Sequence, residues 1–390
     1  MTEQSRIPEQ LRLGVIGCGP ITLNAHADAI AKAANVRLHA IADRDEHLLA
    51  DMRDRLRPTR TYRDGDDLLG DRDVDLVLIA VHDRFHVPLA RKALAAGKHV
   101  LIEKPLGVTV EECEELRQLM PKGRVLAVGC NRRFLPGVRA TKQFLADEGG
   151  EVMSYSSYYY DSTFRHRVTQ ANKFPPAVKP GANVARPQGP DWKTADKRAY
   201  NWLTHSPHLL DLARHLVGPI SAVRATHREV KLGGAAAAGL PESSRGHVWR
   251  VELRFAGGSS GQSLLILPRA GEFEEGFDLH CTGGHVTCSY PYVWYQREQT
   301  RIYSAARKVF WSPDAQDCHT FRLQLEALAR TILAGAPQAN ADLEDGIACV
   351  KALVAGSYSS LHDGQWVDPE SVGGDVVTPF LRSRHAVAVA

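Results

Sequence analysis

The sequence predicts an α/β protein: a doubly wound parallel sheet at the N-terminus, then a larger α/β region built on an open, mostly antiparallel sheet. Three observations carry that prediction. Over the first 130 residues short apolar runs alternate with helix-period segments, the pattern of βαβ units with right-handed crossovers and helices on both faces. Between about residues 220 and 303 the period drops to two, with Ala256-Gly257-Gly258 and Gly283-Gly284 as turns, which marks antiparallel strands. The chain has 390 residues, more than one compact domain usually holds. A first domain over 1–130 and a second over 131–390 are expected.

Residues 11–16, Leu-Arg-Leu-Gly-Val-Ile, form an apolar run that ends in a glycine turn, and 36–42, 74–81, 99–102 and 125–128 read the same way. Continuous apolar runs suit strands buried on both faces. Helices are expected over 24–33, 46–56, 87–96 and 110–120. Gly97 stands just beyond the third, where a left-handed cap belongs, and Pro121 ends the fourth. Past Cys130 a helix is expected over 137–146 and a strand over 152–160. Residues 171–200 mix prolines, glycines and charges and read as a long loop over a functional region. A helix over 207–216 starts at Pro207 and stops at Gly218-Pro219, residues 233–239 make a small-residue surface loop, and helices return over 320–333 and 343–359.

Lys and Arg number 48 against 45 Asp and Glu, a net +3. That balance speaks against a nucleic-acid binder, whose basic excess would be larger and clustered. No run reaches the ~18 apolar residues of a membrane span, and residues 1–6 show no signal-peptide core, so a cytoplasmic location is expected. Seven cysteines lie between Cys18 and Cys349 without a C-x-x-C pair; neither a disulfide framework nor a cysteine zinc site is expected.

Leu13-Gly14-Val15-Ile16-Gly17-Cys18-Gly19-Pro20-Ile21-Thr22 sets a glycine turn between a strand and a helix. Gly17 permits the tight turn, and Gly19, followed by Pro20 and Ile21, lets the backbone approach a pyrophosphate at the helix N-terminus. Thr22 stands where the G-x-G-x-x-G fingerprint has its third glycine. Asp43 ends the next strand, where a carboxylate accepts hydrogen bonds from an adenosine ribose. That carboxylate repels a 2′-phosphate, so NAD is expected over NADP, with Arg44 as a partial offset.

Lys104 follows the fifth strand, at the sheet edge where α/β proteins bind ligands. A lysine of lowered pKa suits proton transfer at a secondary alcohol. The stretch Ala96-Gly97-Lys98-His99-Val100-Leu101-Ile102-Glu103-Lys104-Pro105 resembles the A-G-K-H-V-x-x-E-K-P signature of the Gfo/Idh/MocA oxidoreductase family. Residues 81–90 are similar to the family's P-N-x-x-H segment at His86, with His82 and Asp83 replacing Pro-Asn. Asn131-Arg132-Arg133-Phe134-Leu135-Pro136 is similar to N-x-R-F-x-P. The resemblance implies a Rossmann domain, then a domain whose open sheet often forms an oligomer interface. It also implies hydride transfer between a nicotinamide and a ring carbon of a sugar, cyclitol or related polyol. Lys104 would be the catalytic proton shuttle, Glu103 would support the nicotinamide end, and Pro105 would shape the turn. Cofactor contacts are implied for His82, His86, Asn131 and Arg133.

The family's second catalytic segment, D-x-x-x-H-x-x-D, resembles Thr204-His205-Ser206-Pro207-His208-Leu209-Leu210-Asp211, with Thr204 in place of the first Asp. Positions 204 and 208 share a helical face. Thr204 is expected to hydrogen-bond substrate, with His205 nearby, while Lys104 and His208 handle the proton. His205, His208, Asp211 and His215 make no expected metal shell, because steps of three drift around a helix and no H-E-x-x-H is present.

Substrate contacts are also expected from Tyr158 and Tyr160, which alternation puts on one face and whose rings suit stacking on a sugar. Asp191-Trp192-Lys193 in the long loop, and Asp161, Asp191, Asp196, Glu272, Glu274 and Glu275, point to a bulkier, cationic substrate. An amino sugar or aminoglycoside intermediate of antibiotic biosynthesis fits. The expected protein is an NAD-dependent dehydrogenase, a homodimer or homotetramer, oxidising a ring hydroxyl. An NADPH-dependent keto-sugar reductase and a non-catalytic dinucleotide sensor are the alternatives.

Overall fold

A computed structural model describes residues 10–162, 196–233, 245–269, 273–290, 298–314 and 317–387. Asp191, Trp192, Lys193, Glu272 and most of the 233–239 segment lie outside the described residues.

Strands β1 (Leu11–Ile16), β2 (Val36–Ala42), β3 (Arg60–Tyr62), β4 (Leu76–Ile79), β5 (His99–Ile102) and β6 (Leu126–Val128) form a parallel sheet in the order β3-β2-β1-β4-β5-β6. Its apolar runs are continuous because both faces are covered. Leu13, Val15, Leu76, Leu78 and Leu101 pack on one side, and Val77, Ile79, Val100 and Ile102 on the other. The helices between strands are α1 (Ala27–Lys32), entered through a π-helical turn at Thr22–His26, α2 (Glu46–Leu56), α3 (Gly65–Gly70), α4 (His86–Ala95) and α5 (Val110–Leu119). β3 and α3 have no counterpart in the sequence reading. β3 is a short edge strand whose Arg and Thr are exposed, so it lacks the apolar run that betrays a central strand.

After α6 (Pro136–Phe144), strand β7 (Val152–Ser162) enters a second sheet with β8 (Ile220–Lys231), β9 (Arg245–Phe255), β10 (Ser260–Arg269), β11 (Glu274–Cys281), β12 (Gly284–Tyr290), β13 (Gln299–Ser304) and β14 (Val309–Trp311). The order is β14-β13-β12-β11-β7-β10-β9-β8, antiparallel throughout except for the β7–β10 pair. Along β9, Trp249, Val251, Leu253 and Phe255 are buried while Arg250, Glu252 and Arg254 are exposed, the alternation of a sheet covered on one face.

The covering helices are α7 (Lys197–Val217) and α9 (Leu343–Leu361). The sequence reading starts α7 ten residues late, at Pro207. Asp196 is the true cap: its side chain accepts from the N–H groups of Arg198 and Ala199. Pro207 sits inside the helix, where it withholds one i→i−4 hydrogen bond, and burial of Trp202, Leu203, Leu209, Leu210 and Leu212 compensates. Helix α8 (Thr320–Ala334) returns to the first sheet, where Leu325, Leu328 and Ala329 join the core of Leu11, Leu13 and Val15. A bridge between Val128 and Ala341 adds to that return. A last helix, α10 (Thr378–Val387), follows. All seven cysteines are free thiols, and no helix among the described residues is long and apolar enough to cross a membrane.

Candidate active site

Strand order in the first sheet reverses between β1 and β4, and open α/β sheets bind ligands at the carboxyl ends beside such a switch point. The turn after β1 is shaped for close approach. Gly17 has φ +104°, and a Cβ there would lie 2.3 Å from the Ala80 carbonyl oxygen; only glycine fits. At Gly19 a Cβ would meet nothing within 4 Å, so this backbone faces open space. Thr22, in the third glycine's place, is fully buried and donates its hydroxyl to the Gly17 carbonyl at 2.6 Å. It closes the loop onto the helix. Pro20 and Ile21 are exposed beside it.

Asp43 accepts from the Cys18 N–H at 2.7 Å and the Asp45 N–H at 2.8 Å. Burial raises its pKa against the pull of those two donors. Arg44 is exposed and paired with Asp64 at 2.9 Å. The glycine cradle and the carboxylate beyond β2 fit a dinucleotide, whose pyrophosphate Gly17 and Gly19 would hold and whose ribose Asp43 would hold.

Glu103, Lys104 and Pro105 leave β5 through a cis Lys104–Pro105 bond. Lys104 Nζ donates to the Thr204 carbonyl oxygen at 2.9 Å, joining the first sheet to α7. Burial lowers the Lys104 pKa; the charges of Glu103 and Asp83 oppose that shift and Arg132 adds to it. Glu103 is itself buried, with Oε1 2.8 Å from His26 Nε2 and Oε2 accepting from the Lys104 N–H at 3.2 Å. The cofactor contact expected of His86 gives way to a bracing role. Its side chain is fully buried, with Nδ1 2.7 Å from the Pro105 carbonyl and Nε2 3.2 Å from that of Val81. His82 is partly buried and caps the turn Asp83–Phe85.

On α7, Thr204 meets Lys104 through its backbone carbonyl. His208 lies one turn further on. Its ring is parallel to that of Tyr159 at 6.4 Å, and His205 packs on the same tyrosine at 5.0 Å while its Nδ1 faces the Asn201 carbonyl. Tyr159 is therefore the aromatic residue of β7 that faces the helix. Tyr158 and Tyr160 do alternate together, but onto the sheet's opposite face, where their rings stack on each other at 5.0 Å. That face is opposite the one on which Tyr159 packs against His205 and His208 of α7.

Arg133 binds Asp211 through Nε and Nη2 at 3.0 and 2.6 Å and Asp345 through Nη1 at 2.8 Å, so its fork is held by two carboxylates. Arg214 also pairs with Asp345. Asn131 donates to the Thr320 hydroxyl at 2.8 Å and accepts from Arg132. Arg132 in turn grips Glu275 with two hydrogen bonds of 2.8 and 2.9 Å on the wall beside Lys104 and Tyr159.

With this geometry in place, the chain's relatives become informative. Residues 11–130 match the model of an oxidoreductase family with an NAD-binding Rossmann fold, GFO_IDH_MocA. Residues 11–130 belong to the Gfo/Idh/MocA oxidoreductase family. Among curated relatives, the uncharacterized oxidoreductase YdgJ of Escherichia coli is 34% identical over 219 residues, 55% of this chain and 56% of that one. The myo-inositol 2-dehydrogenase of Thermotoga maritima is 33% identical over 143 residues, 36% of this chain and 42% of that one. These matches thus span about half the length of those relatives. The levoglucosan dehydrogenase of Pseudarthrobacter phenanthrenivorans is 27% identical over 312 residues, 72% of this chain and 74% of that one. A solved levoglucosan dehydrogenase in complex with NADH and levoglucosan shares the fold, with TM-score 0.68 and 22% identity over 92% of this chain and 99% of that one.

Sequence reasoning passed over His26. His26 leaves one signal. Thr22, Ala25, His26, Ala29 and Ile30 are the buried stripe of one helical face, and a histidine on such a stripe requires a buried polar partner. Glu275, read from the sequence as a contact for a cationic substrate, is held by Arg132, and strand register places it opposite Tyr159.

Proposed function

We propose that the chain is an NAD-dependent dehydrogenase that oxidises a ring secondary hydroxyl of a sugar or cyclitol. The observation that carries this reading is Lys104: a lysine at the carboxyl edge of a dinucleotide-binding sheet, its pKa lowered by burial, hydrogen-bonded across to α7. A lysine of lowered pKa offers a neutral amine nearer working pH, and the neutral amine is what accepts a hydroxyl proton. The Thr204 carbonyl fixes the direction of Nζ. His208, one turn beyond on the same helix, is the relay from Lys104 toward solvent. Bound nicotinamide supplies the hydride acceptor. Gly17 and Gly19 hold its pyrophosphate, and Asp43 holds the adenosine ribose and rejects a 2′-phosphate. The Arg44–Asp64 pair supports NAD over NADP, since the one cation beside Asp43 is already held.

Substrate class rests on the relatives' names, among them levoglucosan and inositol dehydrogenases. An anhydro-sugar, a cyclitol and an amino-sugar glycoside are the first compounds to offer. The face of the second sheet left uncovered by α7 and α9 supports a homodimer or homotetramer, which light scattering on the purified protein reads directly. The free thiols suit the reducing cytoplasm. The activity test is NADH formation from NAD and each compound. Tight NADH binding with no oxidation of any polyol, sugar or glycoside would leave a dinucleotide sensor as the better reading.

A further inference from the structure

Lys104 is the end of a buried chain of polar groups that begins on the cofactor helix. His26 lies in the π-helical turn that leads from the glycine loop into α1, and it is 2% exposed. Phe321 of the return helix α8 packs edge-on against its ring at 4.9 Å. The only direction left for its Nε2 among these contacts is Glu103 Oε1, at 2.8 Å. The second Glu103 oxygen accepts the backbone N–H of Lys104 at 3.2 Å. Three segments distant in sequence thus meet in line: the loop helix, the end of β5 with Lys104 directly after it, and the Thr204 carbonyl of α7.

We propose that His26 is a positioning residue: by donating Nε2–H to Glu103 it keeps that carboxylate charged and in place, and through it sets the proton affinity of Lys104. A carboxylate buried to this degree is driven toward its neutral acid unless donors hold the charge. Here burial pushes the Glu103 pKa up, while the His26 hydrogen bond, Lys104 and His86 pull it down, and the net direction is down. Glu103 is in turn the largest of the charges that support protonation of Lys104. Asp83 and Cys130 act in the same sense, and burial and Arg132 act against it. Removing the donor therefore lets Glu103 take up a proton, and Lys104 loses its main counter-charge. The lysine then deprotonates at lower pH.

The kinetic consequence rests on Lys104 being the proton acceptor proposed above, so the deciding test needs no turnover. Trace labelling of Lys104 by acetic anhydride in cofactor-free protein, followed by peptide mass analysis across pH, reads the lysine's titration directly. His26→Ala is expected to move the Lys104 labelling midpoint down by about one unit, the size of a lost neighbouring charge. His26→Gln, whose amide nitrogen replaces Nε2 as donor, is expected to label as the wild type does. Glu103→Gln keeps an acceptor oxygen for one of the two donors while removing the charge. It should shift the midpoint down like His26→Ala, which covers the case in which that variant does not fold. An unmoved midpoint in Glu103→Gln, or a His26→Gln that labels as His26→Ala does, overturns the proposal and leaves His26 a packing residue. If labelling shifts as expected but the acid limb of kcat/KM stays in place, the positioning role stands and Lys104 is not the kinetic base.

Discussion

Two buried carboxylates flank the lysine site, and they are built to different rules. Glu103 is held by a histidine and a backbone N–H. Asp211 is held by the two-pronged grip of Arg133, whose third nitrogen reaches Asp345. A histidine can change its charge in the physiological range; a guanidinium cannot. The first arrangement sits beside Lys104, while the second is a permanent clamp tying the segment after β6 to α7 and α9. The same distinction separates what touches the chemistry from what holds the helix that carries it.

The largest expected effect comes from breaking the clamp. Arg133→Met leaves the buried Asp211 carboxylate without the guanidinium that holds it, and such breakage costs about 3–5 kcal/mol. Denaturant unfolding should register that loss, whereas Glu103→Gln, which keeps one acceptor oxygen and leaves no buried charge unpaired, should cost far less. Equal losses in both variants would erase the contrast.

Cofactor choice gives the next effect. Asp43→Asn keeps an oxygen for the Cys18 or Asp45 N–H but removes the charge that repels a 2′-phosphate. The preference for NAD over NADP, measured as a ratio of kcat/KM, should fall by about tenfold, one charged hydrogen bond's worth.

The pH dependence follows from Lys104. Its pKa is lowered by burial, so alcohol oxidation should rise with pH and level off below the range of an ordinary lysine, near 10.4. The linked stability has the same sign. Between the lowered folded value and the unfolded value the unfolded chain binds more protons, so stability rises with pH across that window. Lys104→Met should flatten this part of the stability profile.

The smallest effects test facing. Tyr159→Phe, beside His205 and His208, should alter KM for the polyol, while Tyr158→Phe on the opposite face should not. Thr204→Val should leave kcat within about twofold, because the contact with Lys104 is made by the backbone and the uniform peptide geometry survives the substitution.

What the sequence made legible follows the same line. Short motifs report residues whose role is decided by their own backbone: Gly17 by its positive φ, Asp43 by its strand end, Lys104 by its place after β5. Apolar runs report the central strands, and they fail for β3, an edge strand with exposed Arg and Thr. The proline-rich approach to α7 hid its true start, since Asp196 caps a helix that runs through Pro207. Partners brought together only by tertiary packing left no trace. His26 and Glu103 are 77 positions apart, and Arg133 and Asp211 are 78 apart. Motif resemblance therefore marked Arg133 without showing that its fork closes on two carboxylates.

The central claim is that Lys104 moves the proton while the glycine loop and Asp43 hold the cofactor independently. The direct measurement is Lys104→Ala assayed twice, by NADH binding through fluorescence titration and by single-turnover oxidation of whichever polyol the wild type accepts. NADH affinity should stay close to wild type while the oxidation rate falls by about 10²–10⁴, the usual contribution of a general base. A variant that oxidises at a near-normal rate would contradict the account.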